Sequence, residues 1–81
     1  MRLLFFGRLG DRLGRETEID LPADVRTVAD LRKLLARLRP EAGGEFLGKS
    51  LRACVGDAIV ADDHVVDDRS EVAFFPPLSG G

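Results

Sequence analysis

The sequence predicts an α+β fold in which one main helix lies over one face of a mixed β-sheet. Five short segments have the apolar or alternating composition of strands, and one long segment has apolar side chains at helical spacing. A single helix covers one face of a sheet and leaves the other uncovered. The first and last strand segments are the most apolar, so we expect them to be central in the sheet, side by side and parallel.

The first two strands form a predicted hairpin. Residues 3–6, Leu-Leu-Phe-Phe, are apolar throughout, as in a strand that is buried on both faces. Residues 7–14 contain three glycines and predict a turn with one helical twist. Acidic side chains alternate with Thr, Ile and Leu over residues 16–21, which predicts a strand with one face exposed to solvent. Its acidic side chains are Glu16, Glu18 and Asp20, and its opposite face carries Thr17, Ile19 and Leu21.

The main helix is predicted to begin after Thr27 and to end before Pro40. Thr27 is a favourable N-cap, and Asp30 three residues later completes a capping box. Pro40 cannot continue the helix. The apolar stripe consists of Val28, Leu31, Leu34, Leu35 and Leu38. The opposite side and the last turn, predicted to be solvated, carry Arg32, Lys33, Arg37 and Arg39.

The second half of the chain supplies the remaining strands. Residues 41–50 predict a loop with a short pinned turn, in which Phe46 and Leu47 enter the core. Strands are predicted at 51–55, 58–60 and 72–75. A right-handed crossover from the second strand, over the sheet, to a non-adjacent third strand is the favoured connection. This order of elements is the β-grasp, or ubiquitin-like, arrangement.

The sequence is predicted to divide into a β-grasp domain, residues 1–75, and an extended C-terminal reactive tail, residues 76–81. Two prolines open the tail, and because proline has no N–H for a sheet ladder, the chain leaves the sheet as a semi-rigid arm. Glycine has no Cβ, so an arm that ends in two glycines can enter a narrow channel. We therefore predict that the carboxylate of Gly81 is the reactive group. The residues of the inserting arm are Pro76, Pro77, Leu78, Ser79 and Gly80.

An exposed apolar patch is predicted next to the root of the tail. The two central strands are apolar on both faces, yet only one face lies under the helix. Phe6 and Phe75 are therefore expected on the uncovered face. Such a patch on a small protein usually marks a docking surface. The alternative is that loops cover these side chains.

Composition and charge argue against several classes of function. The 81 residues make one small domain with a formal net charge of −2, so no bulk basic field is present to hold nucleic acid. Cys54 is the single cysteine, which excludes an internal disulfide and a multi-cysteine metal site. No apolar run approaches the length of a membrane span. We expect a cytoplasmic protein with no membrane or nucleic-acid partner.

No side chain is predicted to be catalytic. The sequence has no Walker A motif, nucleophile elbow or paired acid–base arrangement. His64 lies among four aspartates without a second histidine or a recognisable ligand spacing, so we interpret this segment as a hydrated turn and predict no metal site. Cys54 lies in a strand between two apolar residues and is interpreted as a small buried core residue.

Three segments resemble the MoaD-type ubiquitin-like proteins, the small sulfur-carrying subunits of molybdopterin synthase. Residues 4–7, Leu-Phe-Phe-Gly, are similar to the opening strand of that family, and residues 27–31, Thr-Val-Ala-Asp-Leu, to its helix start. Residues 71–81 match the family's ending almost throughout. The chain departs from the family pattern at Gly56 and Arg69. The Arg69 departure indicates a different turn type, since a positive φ is costly for arginine.

The resemblance implies a function for the tail. In that family an E1-like adenylating enzyme uses ATP to activate the terminal glycine, here Gly81, which is then converted to a thiocarboxylate. The tail enters the large catalytic subunit, and sulfur passes to cyclic pyranopterin monophosphate in molybdenum cofactor biosynthesis. The resemblance also implies a heterotetramer of two small and two large subunits, no cofactor bound to the small subunit, and a docking face that contains Phe6, Ile59 and Phe75.

Three other functions fit the same tail. A sulfur carrier for tRNA thiolation or thiazole synthesis would use the same activation chemistry with a different acceptor. A ubiquitin-like protein modifier would instead join Gly81 to a lysine of a target protein. A plain interaction domain with an incidental pair of glycines would tolerate a C-terminal tag.

Overall fold

The computed structural model describes residues 1–76, and Pro77, Leu78, Ser79, Gly80 and Gly81 lie outside the described residues. The strands are β1 Arg2–Phe5, β2 Glu16–Glu18, β3 Arg52–Val55, β4 Ala58–Val60 and β5 Glu71–Phe75. The helices are α1 Gly7–Leu13, α2 Val28–Leu38, a 3-10 helix at Pro40–Ala42, and α3 Gly43–Leu47. The division into a domain, residues 1–75, and a tail, residues 76–81, stays a prediction.

The sheet has the predicted topology, with the strand order β2-β1-β5-β3-β4. The first and last strands, β1 and β5, are central and parallel, and Leu3 and Phe5 lie opposite Val72 and Phe74. The remaining pairs, β1 with β2, β5 with β3, and β3 with β4, are antiparallel. The parallel pair follows from the apolarity of these two segments, because a strand with no wet face is stable only in the interior of a sheet.

The core lies between the sheet and α2. Strand alternation points Leu3, Phe5, Val72 and Phe74 to this side, and all four are buried. The aromatic ring of Phe46 meets Phe5 and Phe74 edge to face, with ring centroids 5.9 and 5.7 Å apart. This geometry is favourable for aromatic pairs, and burial of each ring contributes roughly 2–3 kcal/mol. Phe46 thus joins α3 to the two central strands.

Helix α2 begins with the predicted capping box. The Thr27 hydroxyl accepts a hydrogen bond from the Asp30 N–H, and the Asp30 carboxylate accepts one from the Thr27 N–H, each at 3.2 Å. The Arg26 N–H also donates to this carboxylate, at 3.0 Å. These backbone donors, first Arg26 and then Thr27, lower the pKa of Asp30 because they stabilise its ionised form. The helix start is therefore fixed by local side-chain chemistry.

At three positions in α2 and α3 the predicted burial of the side chain is wrong. Arg32, expected in solvent, is only 8% exposed, because its guanidinium donates to backbone carbonyls in the segment from Phe46 to Leu51. Leu38 and Leu47, expected in the core, are 55% and 59% exposed. Ala42 of the intervening 3-10 helix is fully buried and closes this end of the core.

Two connections are more regular than predicted, and one strand is shorter. Residues 7–13 form the helix α1, held by the buried side chain of Leu9, where only a turn with one twist was expected. The predicted loop at 41–50 contains the 3-10 helix and α3. The second strand ends at Glu18 instead of residue 21. These short helices lack a long apolar stripe, so contacts with the rest of the protein decide their formation.

The turns at the two departures from the family pattern have different geometries. Gly56 has φ of 61°, a conformation in which asparagine and glycine are favoured. The turn that contains Arg69 is held by Asp67, whose carboxylate accepts a hydrogen bond from the Arg69 N–H at 2.8 Å. The Ser70 N–H donates to the Asp67 carbonyl at 3.0 Å and closes the turn. The aspartate side chain thus stabilises a turn without a glycine at position 69.

Candidate functional site

The sheet surface opposite α2 is apolar at its centre. Register places Leu4, Ala73, Cys54 and Ile59 in one row across β1, β5, β3 and β4. Their side chains point away from the core, because their neighbours along each strand point into it. We define the open face as this row together with the two aromatic residues that end the central strands: Leu4, Phe6, Cys54, Ile59, Ala73 and Phe75.

Phe6 and Phe75 form a stacked pair at the end of the central strands. Their ring centroids are 4.6 Å apart and the ring planes differ by 6°. The Phe6 N–H donates to the Phe74 carbonyl at 3.1 Å, so Phe6 continues the pairing of β1 with β5 by one residue. Phe6 remains 43% exposed. Phe75 is half-buried, so in the described part of the chain the predicted apolar patch is exposed at Phe6 and partly exposed at Phe75.

Ile59 lies on the same face at the edge of the sheet. It is 71% exposed and lies opposite Cys54, which separates it from the central strands. The structure thus brings Phe6 and Phe75 into contact and places Ile59 on the same surface without contact to them. A large apolar side chain in solvent contributes nothing to the core, so this surface is suited to burial against another molecule.

Cys54 differs from its predicted place. It is half-buried on the open face, whereas the core side of β3 is occupied by Ala53. The sequence analysis also missed Leu4 and Ala73 as members of the open face. Strand alternation contains the missing signal, since Leu4 precedes Phe6 by two residues and Ala73 precedes Phe75 by two. Side chains two residues apart in a strand share a face.

A charged border limits the open face at the end away from the tail. Arg2 forms ion pairs with Glu16 of β2 and with Glu71 of β5. All three side chains are about half exposed, so these pairs are worth little in stability, about 0–1 kcal/mol each. Arg2 and Glu71 precede Leu4 and Ala73 by two residues and end the apolar surface on the central strands, and Glu16, opposite Leu4, borders it at β2.

The root of the tail rests on the start of α1. Gly7 has φ of +59°, and a Cβ built at this position would lie 2.9 Å from Cγ of Pro76. The absence of a side chain at Gly7 therefore lets Pro76 pack closely against the end of β1. Pro76 is half-buried and is the only residue of the predicted tail that the structure describes. The roles predicted for Pro77, Leu78, Ser79, Gly80 and Gly81 concern residues outside the described part.

Two further predictions concern groups elsewhere in the fold. Among residues 1–76, no three His, Cys, Asp or Glu side chains are grouped as a metal ion would require. His64 takes part in the fold through its backbone, since its carbonyl accepts a hydrogen bond from the Val28 N–H at 3.0 Å. In the same described region, no helix is long and apolar enough to cross a membrane.

Comparison with known proteins gives relatives that span the whole chain. Residues 3–81 match the ThiS family. The chain is 33% identical over 81 residues to the molybdopterin synthase sulfur carrier subunit of Escherichia coli (strain K12), covering 100% of this chain and 99% of the relative. It is 30% identical over 86 residues to the protein of the same name from Mycosarcoma maydis, covering 100% and 92%.

A solved structure has the same fold. The crystal structure of SAMP1 from Haloferax volcanii superposes with a TM-score of 0.80, covering 99% of this chain and 97% of the other. Sequence identity in this alignment is 24%, so the likeness supports the fold alone. The ubiquitin-like β-grasp prediction is thereby confirmed.

Proposed function

The chain belongs to the ThiS family, and we propose that it is the sulfur carrier subunit of a molybdopterin synthase. One observation carries the proposal: the similarity to two molybdopterin synthase sulfur carrier subunits covers the entire chain, through Gly81. The family match supports the carrier class, and the names of the two relatives support the acceptor pathway. The open face beside the tail root supports a role as a subunit that docks on a larger partner.

The chemistry begins at the carboxylate of Gly81. A free carboxylate is a poor acceptor for a sulfur nucleophile, because the leaving group would be oxide. An E1-like enzyme therefore joins the carboxylate to the α-phosphate of ATP and releases pyrophosphate, which gives a mixed anhydride. A sulfide-level sulfur nucleophile then displaces AMP and leaves a thiocarboxylate. ATP is bound and used by the activating enzyme, and this chain holds no cofactor of its own.

The thiocarboxylate is the sulfur donor in the second half of the cycle. The arm from Pro76 to Gly80 carries it into the large catalytic subunit, where the sulfur bonds to a carbon of cyclic pyranopterin monophosphate. Water then hydrolyses the acyl–sulfur bond, which leaves the sulfur on the pterin and returns Gly81 as a carboxylate. The large subunit supplies the catalytic groups, and this chain behaves as a tethered substrate. Phe6, Ile59 and Phe75 pack against the large subunit, and two copies of each subunit form the complex.

Deletion or extension at Gly81 tests this function. We expect that a chain without Gly81, or with residues added after it, loses sulfur transfer entirely while its thermal unfolding stays unchanged, because the buried core is built from residues between Leu3 and Phe74. The assay combines the carrier, its activating enzyme, ATP, a sulfur source, the large subunit and cyclic pyranopterin monophosphate. The unmodified chain is the positive control. Normal product formation by the truncated or extended chain contradicts the proposal.

The same assay separates the other functions. Sulfur delivered to a thiazole precursor or a tRNA, with none delivered to the pyranopterin, would identify another carrier pathway. An adduct in which Gly81 is joined to a lysine of a second protein would identify a protein modifier. Either result in place of dithiolene formation contradicts the assignment to molybdopterin synthase.

A further inference from the structure

Three exposed cations lie at the end of the sheet from which the tail leaves. We define Arg8 at the start of α1, Lys49 before β3, and Arg52 at the start of β3 as the basic collar. All three residues are exposed. Among residues 1–76, no ion pair or side-chain hydrogen bond involves any of them. Their charges are therefore available to another molecule.

A shared cavity places Arg8 beside Pro76, strand pairing places Arg52 beside Phe75, and a second cavity joins Lys49 to Arg52. Arg8 and Pro76 line the same cavity, of about 330 Å³. Lys49 and Arg52 line a second cavity, of about 340 Å³, and Leu51 lines both. Arg52 also lies directly opposite Phe75 in the pairing of β3 with β5. The collar and the stacked aromatic pair thus lie at the same end of the sheet.

Among residues 1–76, Arg39 and three other arginines form ion pairs, whereas five further cations outside the collar, Arg15, Arg26, Lys33, Arg37 and Arg69, form none. Arg2 pairs with Glu16 and Glu71, Arg12 with Glu45, and Arg32 with Asp62. The segments that carry the collar and the tail root, residues 6–8, 48–53 and 75–76, contain no aspartate or glutamate. The carboxylates that line the same two cavities, Glu45 and Asp62, are each paired with an arginine outside the collar. A local positive charge is therefore concentrated at the tail root of a chain whose formal net charge is −2.

We propose that the basic collar docks on an acidic rim around the mouth of the channel in the partner protein that receives the tail. This inference rests on the proposed function, because it requires a partner into which the tail inserts. The surface of the partner that meets the collar bears carboxylates. Three cations beside the apolar open face are complementary to an acidic ring beside an apolar surface on the partner. The collar adds orientation, because opposite charges around the tail root align the arm with the channel before the apolar surfaces meet.

The collar acts mainly on the rate of association. Exposed charges steer the encounter of two proteins and are screened by salt, whereas dissociation depends on the desolvated centre of an interface. The open face supplies that apolar centre, through Phe6 and Phe75. Loss of the collar should therefore slow binding at low ionic strength, and high salt should remove the difference.

The test measures binding of the large subunit of molybdopterin synthase from the same organism. The collar variant is Arg8→Glu/Lys49→Glu/Arg52→Glu. The matched control, Arg26→Glu/Arg37→Glu/Arg69→Glu, has the same change in net charge at exposed positions away from the tail root. Thermal unfolding verifies that both fold. The neutral set Arg8→Gln/Lys49→Gln/Arg52→Gln gives a second, milder variant.

At low ionic strength we expect the association rate constant of the collar variant to fall about tenfold or more, and that of the neutral set by less. The dissociation rate constant of the collar variant should stay close to that of the unmodified chain. The control variant should match the unmodified chain in both rate constants. If the association rate constant of the collar variant is unchanged, or if the control variant loses as much, the docking role of the collar is refuted while the proposed function stands. Failure of the unmodified chain to bind the large subunit overturns both.

Discussion

At the residue scale, the stacked pair of Phe6 and Phe75 is the feature that links the fold to the proposed docking surface. Neither ring fills the core, since the core side of the same strands is taken by Phe5 and Phe74. The rings contact each other at 4.6 Å and leave one broad apolar surface in solvent. A large aromatic surface that is already ordered loses little conformational freedom on binding, and aromatic residues dominate many interfaces.

We predict that Phe6→Ala and Phe75→Ala each weaken binding of the large subunit by about 1–3 kcal/mol. The physical reason is the loss of aromatic area at the centre of the docking surface. Isothermal titration calorimetry measures the effect. Leu38→Ala is the control, because Leu38 is a large apolar residue of α2 that is 55% exposed and lies away from the open face. Unchanged affinity in both phenylalanine variants, or an equal loss in the Leu38 variant, contradicts this docking surface.

The sequence was sufficient to predict that Phe6 and Phe75 share the uncovered face of the sheet. It was insufficient to predict the positions of the residues around them. Phe6 and Phe75 were predictable because the two most apolar strands must have one uncovered face. The face on which Cys54 lies was not predictable, because a small apolar residue fits a buried or a half-buried site equally well. Only the register of β3 against β5 decides its face. The contact of Pro76 with Gly7 depends on two segments far apart in sequence, so no local pattern contains it.

At the scale of elements, Arg32 joins α2 to the segment that leads into β3. Its Nε donates to the Phe46 carbonyl at 2.6 Å and its Nη1 to the Leu51 carbonyl at 3.3 Å. A further bond goes to the Gly48 carbonyl, and an ion pair at 3.0 Å joins the guanidinium to Asp62. These carbonyls have no strand or long helix to supply donors, and the arginine takes that place.

We predict that Arg32→Met lowers the free energy of unfolding by about 2–3 kcal/mol, because it leaves buried carbonyls without donors. Arg32→Lys should recover only part of this loss, since an ammonium cannot match the planar fork of a guanidinium. Chemical denaturation measures both. Lys33→Met is the control, because the neighbouring Lys33 is exposed. A stability equal to that of the control would contradict the role assigned to Arg32.

The elements that sequence predicted best are those with a strong local signal. Helix α2 begins and ends as predicted because the capping box at Thr27 and the proline at position 40 both act locally. Arg32 was misplaced because helical periodicity assigns an arginine to solvent, and only the carbonyls of a distant segment justify its burial. The short helices α1 and α3 depend on the same kind of tertiary contact.

At the scale of the whole molecule, the fold presents the tail root, the open face and the basic collar at one end of the sheet. This arrangement follows from the parallel pairing of β1 with β5, which ends both central strands at the same edge. The topology was predictable from composition, because only two segments are apolar on both faces. The charge distribution around the tail root was not, because Arg8 belongs to α1 whereas Lys49 and Arg52 belong to the segment that enters β3, and these two parts of the chain meet only in the fold.

The central claim is that Gly81 carries sulfur as a thiocarboxylate, and the intact mass of the protein tests it most directly. The chain should be purified from its native cells without a C-terminal tag and examined by mass spectrometry with fragmentation. The account predicts a fraction that is heavier by one oxygen-to-sulfur exchange, located at Gly81. A single unmodified mass, or a mass that corresponds to a covalent conjugate with another protein, would contradict it.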